Sequence, residues 1–176
     1  MILDGERLKE LLRGAKREAI ICAPFIKLAP LSVLLSVVDA DVKVSVYTRW
    51  RADEVAAGVS DLEIFDLLKD RRNATLNLLD ELHAKLFVAD QMCIAGSANV
   101  TGAALGWSIK PNAELMVHIE RDNRDVQTLL SRLATSSPAT YQIKAAIESE
   151  AAKIEQPKLV EAAEIVGGVS DWSVPW

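Results

Sequence analysis

The residues with the clearest chemical potential lie in the segment HAKLFVADQMCIAGSAN, residues 83–99. His83 and Lys85 are separated by one residue, and apolar residues alternate with them: Leu82, Ala84, Leu86 and Val88. Because alternate side chains of a strand share a face, the pattern predicts that His83 and Lys85 lie together opposite the core, about 7 Å apart. An unpaired ammonium is costly to bury, but beside an imidazole it can bind an anion that the imidazole attacks or protonates.

A small polar segment, Gly-Ser-Ala-Asn at 96–99, follows one predicted hairpin later. Gly96 would let the backbone turn and approach a ligand closely. Ser97 can cap a following helix or donate to an oxyanion, and Asn99 can donate an amide N–H. Free backbone N–H groups at a helix start favour phosphate, so the whole stretch predicts chemistry on a phosphate group.

Strand and helix patterns alternate along the chain. The predicted strands cover 18–24, 42–48, 74–80, 81–90, 91–97 and 112–120, and the predicted helices cover 6–18, 28–40, 52–70, 121–135 and 141–156. The helical segment at 52–70 is expected to break or bend near Gly58, and the hairpin turn is expected at Asp90 and Gln91. The order predicts an α/β fold, with a mixed β-sheet flanked by helices on both faces.

The segment SSPAT at 136–140 is typical of a linker or turn. We therefore predict a first domain at 1–136 and a helical C-terminal extension with a tail at 137–176. A second helix is expected at 158–166, followed by a turn-rich tail at 167–176.

The spacing His83-x-Lys85-x(4)-Asp90, followed by Gly96 to Asn99, resembles the His-Lys-Asp (HKD) signature of the phospholipase D superfamily. Glu114, in NAELMV, resembles an acidic residue on the family's next strand that hydrogen-bonds the catalytic histidine. APFI at 23–26 is a softer match. The resemblance extends over about the first 135 residues and implies a phospholipase D-like fold.

The resemblance also implies a reaction that needs no metal and no cofactor. One histidine attacks phosphorus to form a phosphohistidine, a second histidine protonates the leaving oxygen, and water releases the product. Lys85 and Asn99 would hold the phosphate oxygens with Ser97 as a further donor, and Glu114 would fix the tautomer of His83. Asp90 would be a supporting member of the catalytic set.

The family reaction takes two such motifs, whereas this chain has one. Small family members solve this with a two-fold dimer, so we expect a homodimer in which His83 of each copy meets at one composite site. His118 is the other histidine of the chain. It could serve as the second histidine within the chain, or it could pack or hydrogen-bond.

Candidate substrate-binding residues flank the motif. Arg49, Trp50 and Arg51 follow the second predicted strand, where α/β sheets place ligands. Trp107 and Lys110 lie just after the motif. Cations with tryptophan suit phosphates and unstacked bases, although each tryptophan could instead pack within its own domain.

Three functions are compatible with these residues. Single-motif members of the family are mostly nucleases, so the leading hypothesis is a nuclease that cleaves DNA or RNA without metal. The alternatives are a phosphatidyl-transferring phospholipase and a non-catalytic nucleic-acid-binding module on the same fold. The sequence shows no basic amphipathic helix that would bind a bilayer, so we expect no membrane partner.

Composition adds broad limits. The formal net charge of -5 on its own argues against a nucleic-acid-binding protein, but net charge is a weak guide to a small focused site. Cys22 and Cys93 are isolated in apolar runs, and no secretory signal is evident, so a reduced, cytoplasmic compartment fits best. The acidic extension could serve the dimer interface, or a partner in a multi-protein assembly such as a bacterial defence or restriction system.

Overall fold

A computed structural model of the protein describes residues 3–154. The strands are β1 (Glu18–Cys22), β2 (Lys43–Thr48), β3 (Ala74–Leu78), β4 (Leu86–Ala89), β5 (Met92–Gly96), β6 (Met116–Glu120) and β7 (Ser137–Pro138). The helices are α1 (Asp4–Arg13), α2 (Leu28–Leu35), α3 (Ala52–Ala56), α4 (Ile64–Lys69), α5 (Arg124–Leu133) and α6 (Tyr141–Ala151). The helix predicted at 158–166 and the tail predicted at 167–176 lie outside the described residues.

The strands form one mixed sheet in the order β6-β5-β4-β1-β2-β3-β7. Strands β1, β2 and β3 run parallel, whereas β4, β5 and β6 add to β1 in successive antiparallel pairs. The C-terminal ends of β1, β2, β3 and β5 therefore share one end of the sheet with the N-terminal ends of β4 and β6. We call this the upper end, and the opposite one the lower end.

The two faces of the sheet are covered unequally. The larger core packs the sheet against α1, α2 and α4, with Leu8, Leu12, Leu31, Leu34 and Ile64 fully buried. The smaller core packs the other face against α5, through Val126 and Leu133. Leu82, Leu86 and Val88 share this smaller core, as the alternating pattern predicted, and the α/β fold with helices on both faces is confirmed.

The predicted helix at 52–70 is divided into two short helices. Gly58 lies between them with a φ of +70°, a conformation that glycine adopts without steric cost. The following Asp61 accepts hydrogen bonds from the backbone N–H of Leu28, at 2.7 Å, and from the ammonium of Lys27. This carboxylate satisfies a free amide at the start of α2, so the intervening segment leaves the helix axis to reach it.

The predicted hairpin is confirmed, with Asp90 and Gln91 in the turn and Ala89 opposite Met92. Two predicted strands begin later than expected: residues 81–85 and 112–115 are irregular, and pairing starts at Leu86 and Met116.

The segment predicted as a linker instead joins the sheet. Ser137 and Pro138 pair with Leu78 and Asn77 as the short strand β7. Helix α6 then packs against α3, with Ile143 against the larger core. The division of the chain after residue 136 stays a prediction, and these contacts place the start of the extension on the same body. No helix within residues 3–154 is long and apolar enough to cross a membrane.

Candidate active site

The upper end of the sheet gathers most of the predicted catalytic residues. His83 and Lys85 immediately precede β4, Ser97 and Asn99 follow β5, and Glu114 precedes β6. Residues that are distant in sequence meet here because each antiparallel turn returns the chain to the same end.

The backbone around His83 is irregular but well held. The carbonyl of Leu82 accepts a hydrogen bond from Arg49 Nη1 at 3.0 Å, and that of His83 accepts one from Lys85 Nζ at 3.0 Å. The carbonyl of Lys85 accepts one from the backbone N–H of Gly96 at 3.3 Å. The imidazole of His83 is exposed and makes no hydrogen bond within the described part of the chain. The backbone at His83 is therefore fixed by hydrogen bonds, while its imidazole ring is accessible to a ligand.

A cavity of about 380 Å³ opens beside His83 on the face covered by α5. Its apolar wall includes Leu82, Ala84 and Leu129, and it is also lined by Arg132, whose guanidinium is 3.0 Å from Glu81. Arg132 was not singled out in the sequence, because an arginine near the end of an amphipathic helix is typical of a solvated face. The cavity is large enough to hold a small-molecule-sized group next to His83.

Lys85 is half-buried beside this imidazole. Burial lowers the pKa of its ammonium, the positive charge of Arg49 lowers that pKa further, and the charge of Glu114 raises it. These influences place Lys85 in one electrostatic cluster with Arg49 and Glu114. The ammonium itself donates to the carbonyl of His83, so it lies next to the residue that carries the imidazole.

Glu114 is engaged by its own chain. Ser97 Oγ donates to one carboxylate oxygen, and Asn112 Nδ2 donates to the other at 3.0 Å. The same Ser97 Oγ accepts the backbone N–H of Leu115 at 3.0 Å. Glu114 makes no hydrogen bond with His83 of its own chain in the described residues, so the predicted contact is not formed there.

Gly96 permits the close approach on which this network depends. A Cβ at this position would lie 2.0 Å from the carbonyl oxygen of Leu115 and 2.7 Å from the sulfur of Met116. The glycine thus lets β5 and the start of β6 meet. The predicted approach of this backbone to a ligand stays a prediction.

Asn99 is oriented by the end of β1. Its Oδ1 accepts the backbone N–H of Phe25 at 3.4 Å, and Val100 forms a bridge with Ile26. The amide Nδ2 has no protein partner within residues 3–154 and is available as a donor. No helix follows Gly-Ser-Ala-Asn within 97–115, where Asn99 and Val100 contact the segment after β1; a phosphate site at a helix start is therefore wrong for this segment.

The residues after β2 have three different environments. Arg49 is largely buried beside Leu82, whereas Arg51 is exposed and donates to the carbonyl of Asp80 at 3.1 Å. Trp50 is only 4% exposed and belongs to the larger core. An indole enclosed in this way cannot stack on a base, so we leave Trp50 out of the candidate site.

Trp107 and Lys110 lie on the loop between β5 and β6. The Trp107 ring packs on α1 at Gly5, and its Nε1–H donates to Glu6 at 3.3 Å. Together with Lys27, it lines a separate cavity of about 530 Å³. Lys110 is exposed. Neither residue contacts the cluster around His83, so their predicted role in substrate binding stays a prediction.

Asp90 is at the lower end of β4, away from His83. Its carboxylate accepts the backbone N–H groups of Lys16 (2.8 Å), Arg17 (3.0 Å) and Glu18 (3.0 Å). Burial raises the pKa of this carboxyl, but the three amide donors outweigh burial and leave the pKa below its ordinary value. These contacts give Asp90 a structural role, and we leave it out of the candidate site.

The second histidine and the two cysteines lie outside the candidate site. His118 is exposed on β6 opposite Ile94, two residues further from the upper end than Met116. Cys22 and Cys93 are buried and unbridged, and burial raises the pKa of Cys22 to about 12. The described residues contain no cluster of three or more His, Cys, Asp or Glu side chains arranged to hold a metal ion.

Comparison with known proteins agrees with the predicted resemblance. The sequence model of the family described as cardiolipin synthase, PLD-like domain, matches residues 8–135. The chain therefore belongs to the phospholipase D-like family. Among curated proteins, none matches the sequence significantly.

Solved structures share the fold at low sequence identity. NucT from Helicobacter pylori is 13% identical with a TM-score of 0.57, and the match covers 76% of this chain and 89% of that one. Nuc from Salmonella typhimurium, a phospholipase D family member, is 18% identical with a TM-score of 0.56 and the same coverage. Phosphatidylserine synthase from Haemophilus influenzae is 15% identical with a TM-score of 0.60, covering 84% of this chain and 41% of that one.

Proposed function

We propose that this protein is a phosphodiesterase of nuclease type that cleaves DNA or RNA without a metal ion, through a phosphohistidine at a site shared by two copies. One observation carries the proposal: in a member of the phospholipase D-like family, the exposed, unpartnered imidazole of His83 lies next to Lys85 at the upper end of the sheet, the end that also carries Asn99.

The residues suit a two-step displacement. A neutral nitrogen of His83 attacks phosphorus, the P–N bond forms, and the bond to the leaving oxygen breaks as a second histidine gives that oxygen its proton. The second histidine then takes a proton from water, which attacks phosphorus and releases His83. Lys85 and Asn99 stabilise the negative charge on the phosphate oxygens in both steps.

A second copy of the chain would supply the second histidine. A two-fold axis at the upper end would bring His83 of each copy to one site. Since Glu114 does not bond His83 in its own chain, the predicted contact between this carboxylate and the imidazole would be made across the axis. Leu115, next to Glu114, is 71% exposed, and Ile109 on the same loop is fully exposed. The exposed apolar side chain of Leu115, next to Glu114, supports a covered face here.

The preference for nucleic acid rests on two considerations. The matches to NucT and Nuc cover 89% of each of those chains, so both proteins are comparable in size with this one. The exposed cations Arg51 and Lys110 could contact flanking phosphates. Phosphatidyl transfer is the second candidate, because phosphatidylserine synthase shares the fold over 41% of its chain.

The direct test is cleavage of single- and double-stranded DNA and RNA, with vesicles of anionic phospholipid as a parallel substrate, in the presence of EDTA. We expect cleavage of at least one nucleic acid that persists in EDTA and disappears in His83→Ala. Loss of activity in EDTA would contradict the mechanism. Turnover of lipid alone would select the second candidate, and salt-sensitive binding of nucleic acid without cleavage would indicate a binding module.

Subunit mixing tests the composite site. Co-expression or co-refolding of equal amounts of wild type and His83→Ala should give about one quarter wild-type dimers, one half mixed dimers with one intact histidine, and one quarter variant dimers. If both histidines are needed, an equal mixture should retain about a quarter of the wild-type activity, whereas independent sites would retain about half. Leu115→Glu, at the covered face, should give a folded monomer with activity lost. An active monomer would contradict the composite site.

A further inference from the structure

Arg49 is an arginine whose hydrogen-bonding groups point into the protein. Its side chain is 11% exposed, and that of its partner Glu54 is 12% exposed. Nε and Nη2 both donate to the Glu54 carboxylate, and Nη1 donates to the carbonyl of Leu82 at 3.0 Å. Three of the guanidinium donors are therefore already used within the chain, which is a poor arrangement for capturing substrate.

The same guanidinium touches both halves of the candidate site. On one side it holds the carbonyl of Leu82, the residue immediately before His83. On the other side it lies over the ring of Phe25, 5.2 Å from the ring centroid. The backbone N–H of Phe25 in turn donates to Asn99. Arg49 thus connects the segment that carries the nucleophile with the segment that orients a phosphate-binding amide.

The negative charge of Glu54 reduces the electrostatic cost of placing Arg49 near a second cation. Two cations, Arg49 and Lys85, lie close enough that the charge of Arg49 lowers the pKa of Lys85. Glu54 is on α3 and forms a two-pronged pair with Arg49, which neutralises one of the two cations. A neutral side chain at position 54 would leave two positive charges in a partly desolvated place, at a cost in both geometry and stability.

We propose that the Arg49–Glu54 pair positions two residues of the candidate site. Arg49 holds the backbone at Leu82 so that His83 faces the site, and its contact with Phe25 holds the segment that orients Asn99 towards the site. The proposal rests on the proposed function, because it assigns the pair to the phosphoryl-transfer site built on His83. Arg49 is therefore a positioning residue, not the substrate-binding residue that its place after β2 predicted. Lysine cannot replace it, because an ammonium lacks the planar fork that reaches a carboxylate and a carbonyl together.

Histidine NMR tests the positioning without any assay of activity. The chain has two histidines, so a spectrum of protein labelled at histidine contains two sets of imidazole signals. The signals of His118 serve as the internal reference. In Arg49→Met, Arg49→Lys and Glu54→Gln we expect the His83 signals to shift or broaden while those of His118 stay in place. Unchanged His83 signals in folded Arg49→Met would overturn the proposal.

Arg71→Met is a matched control for loss of a partly buried arginine. Arg71 also donates to backbone carbonyls, those of Leu35, Val38 and Asp39, but it lies before β3, at the lower end of the sheet. We expect Arg71→Met to destabilise the protein while leaving the His83 signals unchanged. If Arg71→Met moved His83 as much as Arg49→Met does, the effect would be general loosening, and the proposal would fail.

Steady-state kinetics on an active substrate separate positioning from binding. Loss of positioning should lower kcat on the order of 10- to 100-fold with KM nearly unchanged, because the site still binds but reacts from a misplaced geometry. A rise in KM with kcat unchanged would assign Arg49 to substrate binding and overturn the proposal. The NMR result decides the positioning even if no tested substrate is cleaved. Conversely, a negative NMR result in an active enzyme leaves the proposed function standing.

Discussion

The two ends of strand β4 carry parts of one sequence motif but are built in opposite ways. At the lower end, the carboxylate of Asp90 accepts three backbone N–H groups from residues 16–18, and Arg121 donates to the carbonyl of Asp90. At the upper end, the imidazole of His83 is exposed and has no hydrogen-bond partner among residues 3–154. The carboxylate at the lower end has its hydrogen-bond partners within the chain, whereas the imidazole at the upper end is left available.

This difference separates stability from chemistry within the seven residues that lead from His83 to Asp90. Hydrogen bonds that are complete in the folded state stabilise it, whereas groups left free contribute nothing to folding and can act on a ligand. We therefore expect substitutions at the upper end to change activity and substitutions at the lower end to change the free energy of unfolding.

The largest effect is expected at His83. His83→Ala removes the nucleophile and should reduce phosphodiesterase activity by three or more orders of magnitude, on the order of the loss of other catalytic nucleophiles. Its unfolding curve should match that of wild type, because the ring is exposed. His118→Ala is the matched control and should stay active. Loss of activity in His118→Ala would mean that the second histidine comes from the same chain.

A smaller loss is expected when the phosphate-binding groups are removed. Lys85→Gln and Asn99→Ala each remove a donor to the developing charge, and kcat should fall on the order of 100-fold. Lys43→Gln provides the control, because Lys43 is an exposed lysine at the start of β2, at the lower end of the sheet. Wild-type turnover in Lys85→Gln would remove the lysine from the proposed mechanism.

At the lower end the expected effect is on stability. Asp90→Ala loses three hydrogen bonds and places alanine at a φ of +54°, so the free energy of unfolding should fall by about 2 kcal/mol or more with kcat unchanged. Asp90→Asn keeps one acceptor oxygen and tolerates this φ, and should lose about half as much. Denaturant titration measures both. Loss of activity in folded Asp90→Asn would show that the two ends are not independent.

The contribution of Asp90 to the free energy of unfolding should depend on pH in a definite direction. The pKa of Asp90 is lowered in the folded state, so its stabilisation is present above the pKa of the unfolded chain and is lost as pH falls through the folded pKa. The gap in stability between wild type and Asp90→Asn should therefore narrow in acid. A gap that is constant with pH would contradict a charge-dependent role for Asp90.

The smallest effects are expected in the titration of Lys85. Burial, followed by the charge of Arg49, lowers the pKa of Lys85, and Glu114 raises it. Glu114→Gln should lower that pKa further, whereas Arg49→Met should raise it. NMR titration of labelled lysine measures both changes. Shifts in the same direction in the two variants would mean that Lys85 does not share a cluster with both groups.

Local sequence was sufficient for the parts of this protein that depend on short-range rules. The alternation around His83 and the turn at Asp90 and Gln91 placed the hairpin, because strand periodicity and turn chemistry act over a few residues. The alternation of strands and helices likewise predicted the mixed sheet. The grouping of His83, Lys85, Ser97, Asn99 and Glu114 at one end then follows from antiparallel connection.

Packing between distant segments was required for the rest. Arg49 meets Leu82 across 33 residues, and Phe25 meets Asn99 across 74, so neither pairing leaves a periodic trace in the sequence. The adjacent residues Arg49 and Trp50 were both predicted to bind a ligand. In the fold, Trp50 is buried in the core, and Arg49 forms an ion pair with Glu54. Adjacent residues differ in this way because the burial of a side chain depends on the elements packed around it, which no short window of sequence contains.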